Sequence, residues 1–379
     1  MLKSAKIENF RGFKNFELQQ LGRINLLVGT NNSGKTSLLE AIQLLCSRTN
    51  LEPLIKTMGN RGEYSLGDPN ALGSRLRRDL SALDICNLFH GYEAKVDSKL
   101  VISGKQDGND EELILSLEEA SFDDVEGQFD DRGGLIDDPI LKLVAQWKYG
   151  HQTDKVEERS FTLSSDLSLR TDYLRRIRAD SSVPLINMQF VTPFSLPADR
   201  MIEMFEEQIV LTPEEDVINQ ALRNIEPEIE RIAPISSRKA RYTELGVRAG
   251  FLVKLSDKNQ RVPIGSMGDG IWRMLGLTLS AVAAKGGVLF VDEIDTGLHF
   301  TALSNMWKLI WDVANRLNVQ VFATTHSRDC WESLSEIARS QDAEEQGITI
   351  HRIEKNKQRS VVFNERRIVI AAEQDIEVR

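Results

Sequence analysis

The segment Gly29-Thr-Asn-Asn-Ser-Gly34-Lys35-Thr36 constrains this chain more than any other. It matches G-x-x-x-x-G-K-[ST] in full and follows a compact apolar run, Arg23-Ile-Asn-Leu-Leu-Val28. Behind it, Leu38, Leu39, Ile42 and Leu45 recur at helical spacing. A buried strand, a glycine-rich turn and a helix over Lys35–Ser47 follow from that pattern. Glycines let the backbone curl so that successive N–H groups converge on an anion, at a helix N-terminus already favourable to negative charge. On that physics Gly29, Thr30, Asn31, Asn32, Ser33, Gly34 and Ser37 would cradle nucleotide phosphates. Lys35 would lie across the β- and γ-phosphates, and the Thr36 hydroxyl would ligate Mg²⁺. ATP and Mg²⁺ are the expected cofactors.

Three further stretches carry chemistry. Val288-Leu-Phe-Val-Asp292-Glu293 reads as a buried strand delivering carboxylates to its C-terminal end, where open α/β sheets bind ligands. Asp292 is expected in the Mg²⁺ shell, and Glu293, pointing elsewhere, as the general base that polarises water. Gly265-Ser266-Met267-Gly268-Asp269-Gly270 opens a helix, so Ser266 and Gly268 can form a second phosphate cradle. A cradle there cannot easily serve the nucleotide held at Gly29–Thr36, which implies a dimer with ATP between subunits. Val321-Phe-Ala-Thr-Thr325-His326-Ser327 is a strand end whose histidine could reach the γ-phosphate.

Around these motifs, Met1–Phe16 predicts a short strand and a turn, and Tyr92–Glu119 an antiparallel meander built on Ala94–Val96, Leu100–Ile102 and Leu113–Leu115. Pro213–Ile232 predicts an amphipathic helix with Thr212 as N-cap, kinked or split at Pro227. Val247–Leu255 and Arg261–Ile264 predict a hairpin. Helix Ile271–Ala284, strand Val288–Val291, helix Phe300–Leu317 and strand Val319–Thr324 alternate as a parallel sheet requires. There is no internal repeat and no sustained heptad pattern.

Composition sets outer bounds. The net charge of −10 argues against a wholly basic surface. It leaves room for local basic clusters, of which there are three: Arg75, Arg77 and Arg78; Arg170, Arg175, Arg176 and Arg178; and Arg238, Lys239 and Arg241. Their ordinary reading is a solvated face, and the alternative is contact with DNA phosphates. The acidic stretch Asp107–Asp138 reads as a solvated loop. Three cysteines without Cys-x-x-Cys spacing exclude a disulfide framework. No apolar run reaches membrane-span length, and Lys3, Lys6, Glu8, Arg11 and Lys14 interrupt the N-terminus, so a cytoplasmic protein with no membrane contact is expected.

Taken in order, G-x-x-x-x-G-K-T, S-x-G-x-G, hydrophobic-D-E, I-D-T-G-L-H and T-T-H-S resemble the ABC-type ATPase heads of the SMC, RecF and overcoming-lysogenization-defect group. More closely they resemble the AAA15-type ATP-binding proteins of prokaryotes, some of which serve in anti-phage defence. The opening Ile7-Glu-Asn-Phe10-Arg11-Gly-Phe13 is similar to that group's first strand and turn. The resemblance implies that Arg11 approaches the nucleotide, that Ser266 and Gly268 complete the partner subunit's site, that Asp295–His299 is the D-loop and that His326 is the switch histidine. Met267 and Asp269 depart from the usual small residues of the signature, and neither Gln43 nor Gln189 stands out as the Q-loop glutamine. The implied fold is α/β: a P-loop NTPase of ABC/SMC-head type, a mixed sheet with a parallel core, an antiparallel β meander and an inserted, partly helical lobe. Residues 1–105 and 236–379 would form the ATPase head and 106–235 the insertion. The implied function is Mg²⁺-dependent ATP hydrolysis, catalysed by Lys35, Glu293 and His326. It would drive closure of a homodimer or higher homo-oligomer that regulates a nuclease or toxin on another chain, in phage defence or genome maintenance. A RecF-like ATPase acting directly on DNA is the alternative.

Overall fold

The computed structural model describes residues 1–65, 82–120, 141–150, 155–164, 166–170, 186–235, 250–256, 260–340 and 347–379. The basic residues Arg75, Arg77, Arg78, Arg175, Arg176, Arg178, Arg238, Lys239 and Arg241, the Arg170 side chain, and positions 121–138 of the acidic stretch lie outside the described residues. Two compact units divide the chain. One comprises Met1–Gln19, Ser37–Leu185 and Asn356–Ser360, the other Gln20–Thr36, Ile186–Lys355 and Val361–Arg379.

The chain opens with β1 (Leu2–Phe10), β2 (Phe13–Leu18), β3 (Ile24–Val28), α1 (Lys35–Ser47) and α2 (Glu52–Arg61). Next come β4 (Ala82–Asp84), β5 (Lys99–Gln106), β6 (Asn109–Glu119), β7 (Leu141–Tyr149), β8 (Lys155–Thr162), β9 (Ser168–Arg170) and β10 (Met188–Val191). Then follow α3 (Ala198–Gln208), α4 (Glu214–Arg223), β11 (Ile229–Pro234), β12 (Phe251–Leu255), β13 (Arg261–Pro263) and α5 (Asp269–Ala283). The chain ends with β14 (Val288–Val291), α6 (Phe300–Arg316), β15 (Gln320–Thr324), α7 (Arg328–Ser340), β16 (Ile348–Arg352), β17 (Val361–Asn364) and α8 (Glu365–Glu373). No helix among the described residues is long and apolar enough to cross a membrane.

The first unit is built on an antiparallel sheet in the order β2-β1-β5-β6-β7-β8. Side chains alternate across a strand, so one face collects every second residue. Phe16, Ile7, Ile102, Leu113 and Trp147 pair in one buried row across five of these strands. The expected meander is therefore the middle of a larger sheet. Ala94–Val96 is not one of its strands, since Asp97 turns the chain at φ 67° just before β5. Cys46 is buried in this unit and Cys86 half-buried.

The second unit carries the parallel sheet, in the order β10-β14-β15-β3-β16-β17, with only β17 antiparallel. Every residue of β3, β14 and β15 is buried, which explains why they are mostly apolar in sequence rather than alternating, with Asn25 and Gln320 as buried polar exceptions inside β3 and at the start of β15. Phe190, Phe290 and Phe322 stack across neighbouring strands. Around them α5 buries Trp272, Met274, Leu275, Leu277 and Leu279, and α6 buries Leu303, Met306, Trp307 and Ile310.

The helix expected over Pro213–Ile232 is shorter. It ends at Arg223, and Ile229–Pro234 pairs antiparallel with β12. A register shift between Ile229 and Arg231 lets both Ile229 and Ile232 face the core. Their three-residue spacing mimics a helix but comes from a β-bulge. Pro227, which has no N–H to donate, lies in the break between the two elements. Thr212 does not cap α4. Its hydroxyl donates to the carbonyls of Gln208 and Ile209, at the end of α3.

Strands β10 and β14 come together at Gly287, where a Cβ would stand 1.9 Å from the Asn187 carbonyl oxygen. Gly287→Ala should therefore force the two strands apart and cost about 1–3 kcal/mol. A clear fall in the thermal unfolding midpoint is expected, and an unchanged midpoint would contradict so close an approach.

Candidate functional site

The carboxyl ends of the parallel strands gather at one edge of the second unit, where such sheets bind ligands. Gly29 follows β3, Asp292 follows β14, Thr325 follows β15 and Thr192 follows β10. Gly29, at φ 146°, packs so closely on the segment after β16 that a Cβ would meet the Ile353 carbonyl oxygen at 2.5 Å. Only glycine can open the loop there. Asn32 (φ 59°) and Gly34 (φ 96°) complete the curl, and α1 begins at Lys35.

Lys35 is buried. Its ammonium donates to the carbonyl oxygens of Gly29 and Thr30, both at 2.9 Å, and lies 3.4 Å from Nδ1 of His326. Burial pushes its pKa down to about 8, against the opposing pull of Asp292 and Glu293. The Thr36 hydroxyl lies 3.1 Å from both carboxylate oxygens of Asp292. Two hard oxygen donors in contact are the chemistry that Mg²⁺ prefers, with phosphate and water completing its shell. The residues present fit that ion.

Threonine hydroxyls hold each acid of the turn after β14. Thr324 Oγ1 donates to Asp292 Oδ1 at 2.6 Å and accepts from the Glu293 N–H at 2.8 Å. Thr296 donates to Glu293 Oε2 at 3.1 Å, and Thr325 to Asp295 Oδ1 at 2.6 Å. Glu293 sits at φ 47°, a left-handed conformation that costs a non-glycine residue roughly 1–2 kcal/mol. Its Oε1 stands 4.0 Å from Nε2 of His326. Asn31, Asn32, Glu293, Asp295, Thr296 and His326 line a pocket of about 400 Å³.

A family model described as "AAA domain, putative AbiEii toxin, Type IV TA system" matches residues 24–329. The chain belongs to this family. The resemblance to the SMC and RecF group of ABC-type ATPases holds with it. An "ATP/GTP phosphatase" of Helicobacter pylori is 22% identical over 90% of each chain. The DNA replication and repair protein RecF of Clostridioides difficile is 24% identical over 93% of this chain and 96% of its own. Among solved structures, the SMC head domain from Thermotoga maritima aligns over 96% of this chain and 98% of its own at 11% identity, with a TM-score of 0.42. The Smc head domain with an extended coiled coil from Pyrococcus furiosus aligns over 99% of each chain at 12% identity, with a TM-score of 0.45.

Within this AAA-domain chain the motif residues fall into three sets. Lys35, Thr36, Asp292, Glu293 and His326 come together in the second unit, with Asn31 and Asn32 on the pocket wall. Ser266 and Gly268 are exposed ahead of α5 and are not among the residues lining the pocket. Arg11 belongs to the first unit, where it is buried. Its guanidinium pairs with Glu40 at 2.8 Å and with Glu63 at 2.5 and 3.1 Å. Arg61 holds the other oxygen of Glu40 at 2.7 Å.

Sequence reasoning missed Thr296 and Thr324 as anchors, and it missed Arg273. Arg273 donates to the carbonyl oxygens of Thr192 (2.6 Å), Asp292 (3.3 Å) and Glu293 (2.9 Å). A signal existed for it, because it is the lone cation in the apolar run from Ile271 to Ala284. Thr324 and Thr296 gave none, since a threonine's place in sequence says nothing of which carboxylate its hydroxyl meets.

The depressed pKa of Lys35 predicts proton-linked nucleotide binding. Phosphate beside the ammonium favours its charged form and raises that pKa. Below the free value of about 8 the lysine is already charged and little is taken up; above it, binding draws in a proton. Calorimetry of MgATP binding in buffers of different ionisation enthalpy should show uptake approaching one proton near about pH 9, with affinity falling as pH rises through 8. Proton-neutral binding across that range would contradict the assignment.

Proposed function

We propose that this chain is a Mg²⁺-dependent ATPase whose two copies close on nucleotide, and that closure regulates a separate effector in phage defence or genome maintenance. One observation carries the chemistry: the Thr36 hydroxyl and Asp292 carboxylate in contact, with Lys35, Glu293 and His326 around the same phosphate loop. The printed name of the Helicobacter pylori relative supports nucleoside triphosphate hydrolysis.

In this reading Gly29–Ser37 bind the phosphates through backbone N–H groups and the Lys35 ammonium. Thr36 and Asp292 would hold Mg²⁺, which would supply positive charge to offset that of the phosphates. Glu293, its carboxylate held by Thr296, orients water for attack. His326, between Lys35 and Glu293, is positioned to contact the γ-phosphate. Removing one preorganised group of this kind typically costs about 3 kcal/mol of barrier, roughly a hundredfold in rate. Ser266 and Gly268, exposed and outside the pocket, suit the nucleotide of a second copy. Gly270 lies beside them, and its Cβ position is 3.6 Å from the carbonyl oxygen of Gly297, so that loop abuts the D-loop segment.

Lys35→Ala should abolish nucleotide binding. Glu293→Gln should keep binding, lower turnover by at least about a hundredfold and accumulate an ATP-bridged dimer, read by light scattering with and without MgATP. Unchanged hydrolysis by Glu293→Gln would remove that residue from its role.

Direct action on DNA is a second reading, favoured by the RecF relative that matches nearly the whole chain. ATPase rates with and without DNA at two salt concentrations separate the two. Stimulation that disappears at high salt is expected only if DNA phosphates are contacted.

A further inference from the structure

We propose that Arg273 is a positioning residue that ties the loop opening α5 to the carboxylate of Glu293, so that movement of that helix sets whether the acid is aimed at its water. The inference rests on the reading of Glu293 given above and extends it to how the site is controlled.

Arg273 is buried in α5 among Trp272, Met274 and Leu277. A guanidinium in such surroundings costs several kcal/mol unless its donors are satisfied. Two of its nitrogens reach three carbonyls on two separate segments: Thr192 after β10, and Asp292 with Glu293 after β14. The third nitrogen, Nε, finds no hydrogen-bond partner among the described residues. The cation thus holds both segments through its two terminal nitrogens alone.

The turn that it grips is the one that needs gripping. Glu293 is left-handed at φ 47°, and the direction of its side chain follows from that backbone. Thr324 fixes the Glu293 N–H and Arg273 fixes its carbonyl, so both flanking peptides are clamped. A strained residue persists only where its surroundings over-determine it. One helical turn before Arg273, Gly270 lies with its Cβ position 3.6 Å from the Gly297 carbonyl oxygen, and a Cβ on Gly297 would stand 4.0 Å from the Arg273 Cβ. The first turn of α5 thus runs along the segment Asp292–Gly297. Anything that engages the exposed Ser266 and Gly268 and shifts α5 moves Arg273, and with it the peptide that orients Glu293.

The test uses the full chain with Arg273→Lys, which keeps the charge but loses the fork that spans two segments, and Arg273→Met, which keeps the bulk alone. For each folded variant, kcat is expected to fall at least tenfold while the Kd for MgATP stays within about threefold. Hydrogen exchange over residues 292–297 should quicken in both, with exchange over residues 24–47 unchanged. Turnover within twofold of the unaltered chain, or a parallel loss of MgATP binding, would overturn the proposal. Should the unaltered chain itself fail to hydrolyse ATP, the role of Glu293 falls, and exchange over 292–297 still decides whether Arg273 holds the turn.

Discussion

Pairing of β3 with β15, Ile24 against Val321 through Leu27 against Thr324, joins the two ends of the sequence. Everything at the site depends on that pairing. It is fixed by apolar burial, since each fully buried Leu, Ile, Val or Phe contributes about 1.5–3 kcal/mol, against about 1 kcal/mol net for a typical hydrogen bond. With β3, β14 and β15 buried on both faces, a slip of one residue would displace the whole stack of Phe190, Phe290 and Phe322. The same register sets Gly29, Asp292 and Thr325 at one edge. Polar chemistry is thus placed by a hydrophobic decision made several residues away.

At that edge the electrostatics are finely opposed. Asp292, Glu293 and Asp295 crowd one short turn, each held by a threonine hydroxyl. Two buried cations face them. For both Lys35 and Arg273 the loss of hydration outweighs the attraction of the acids, which brings the first to about 8 and the second to about 10. Arg273 stays charged at neutral pH. Lys35, also charged at neutral pH, lies closer to its titration.

Legibility in the sequence followed locality. Helix α1 and strand β14 have the limits that their apolar patterns predict, because pattern and environment agree along their whole length. The reading of Pro213–Ile232 as helix ran too far, because the segment beyond Pro227 is held as a strand by its pairing with β12, a long-range contact. Two of the three expected meander runs are strands, β5 and β6, but their sheet's pairing with β1 through Leu2–Glu8 was not visible, since that register is a long-range contact. Among the site residues, the motifs located Lys35, Thr36, Asp292, Glu293 and His326. The threonines that orient them and the arginine beneath them carry no motif.

Sequence alone therefore determined the chemical inventory: a glycine loop able to curl around phosphate, a lysine and a threonine at the start of a helix, and acids at the end of an apolar strand. These are properties of short segments, dictated by backbone freedom and side-chain period. The tertiary structure alone decided which hydroxyl holds which carboxylate, that Arg11 is engaged by Glu40 and Glu63, and that Arg273 grips the turn of Glu293. Such choices depend on distances across strands and helices that only packing sets, and no local pattern encodes them.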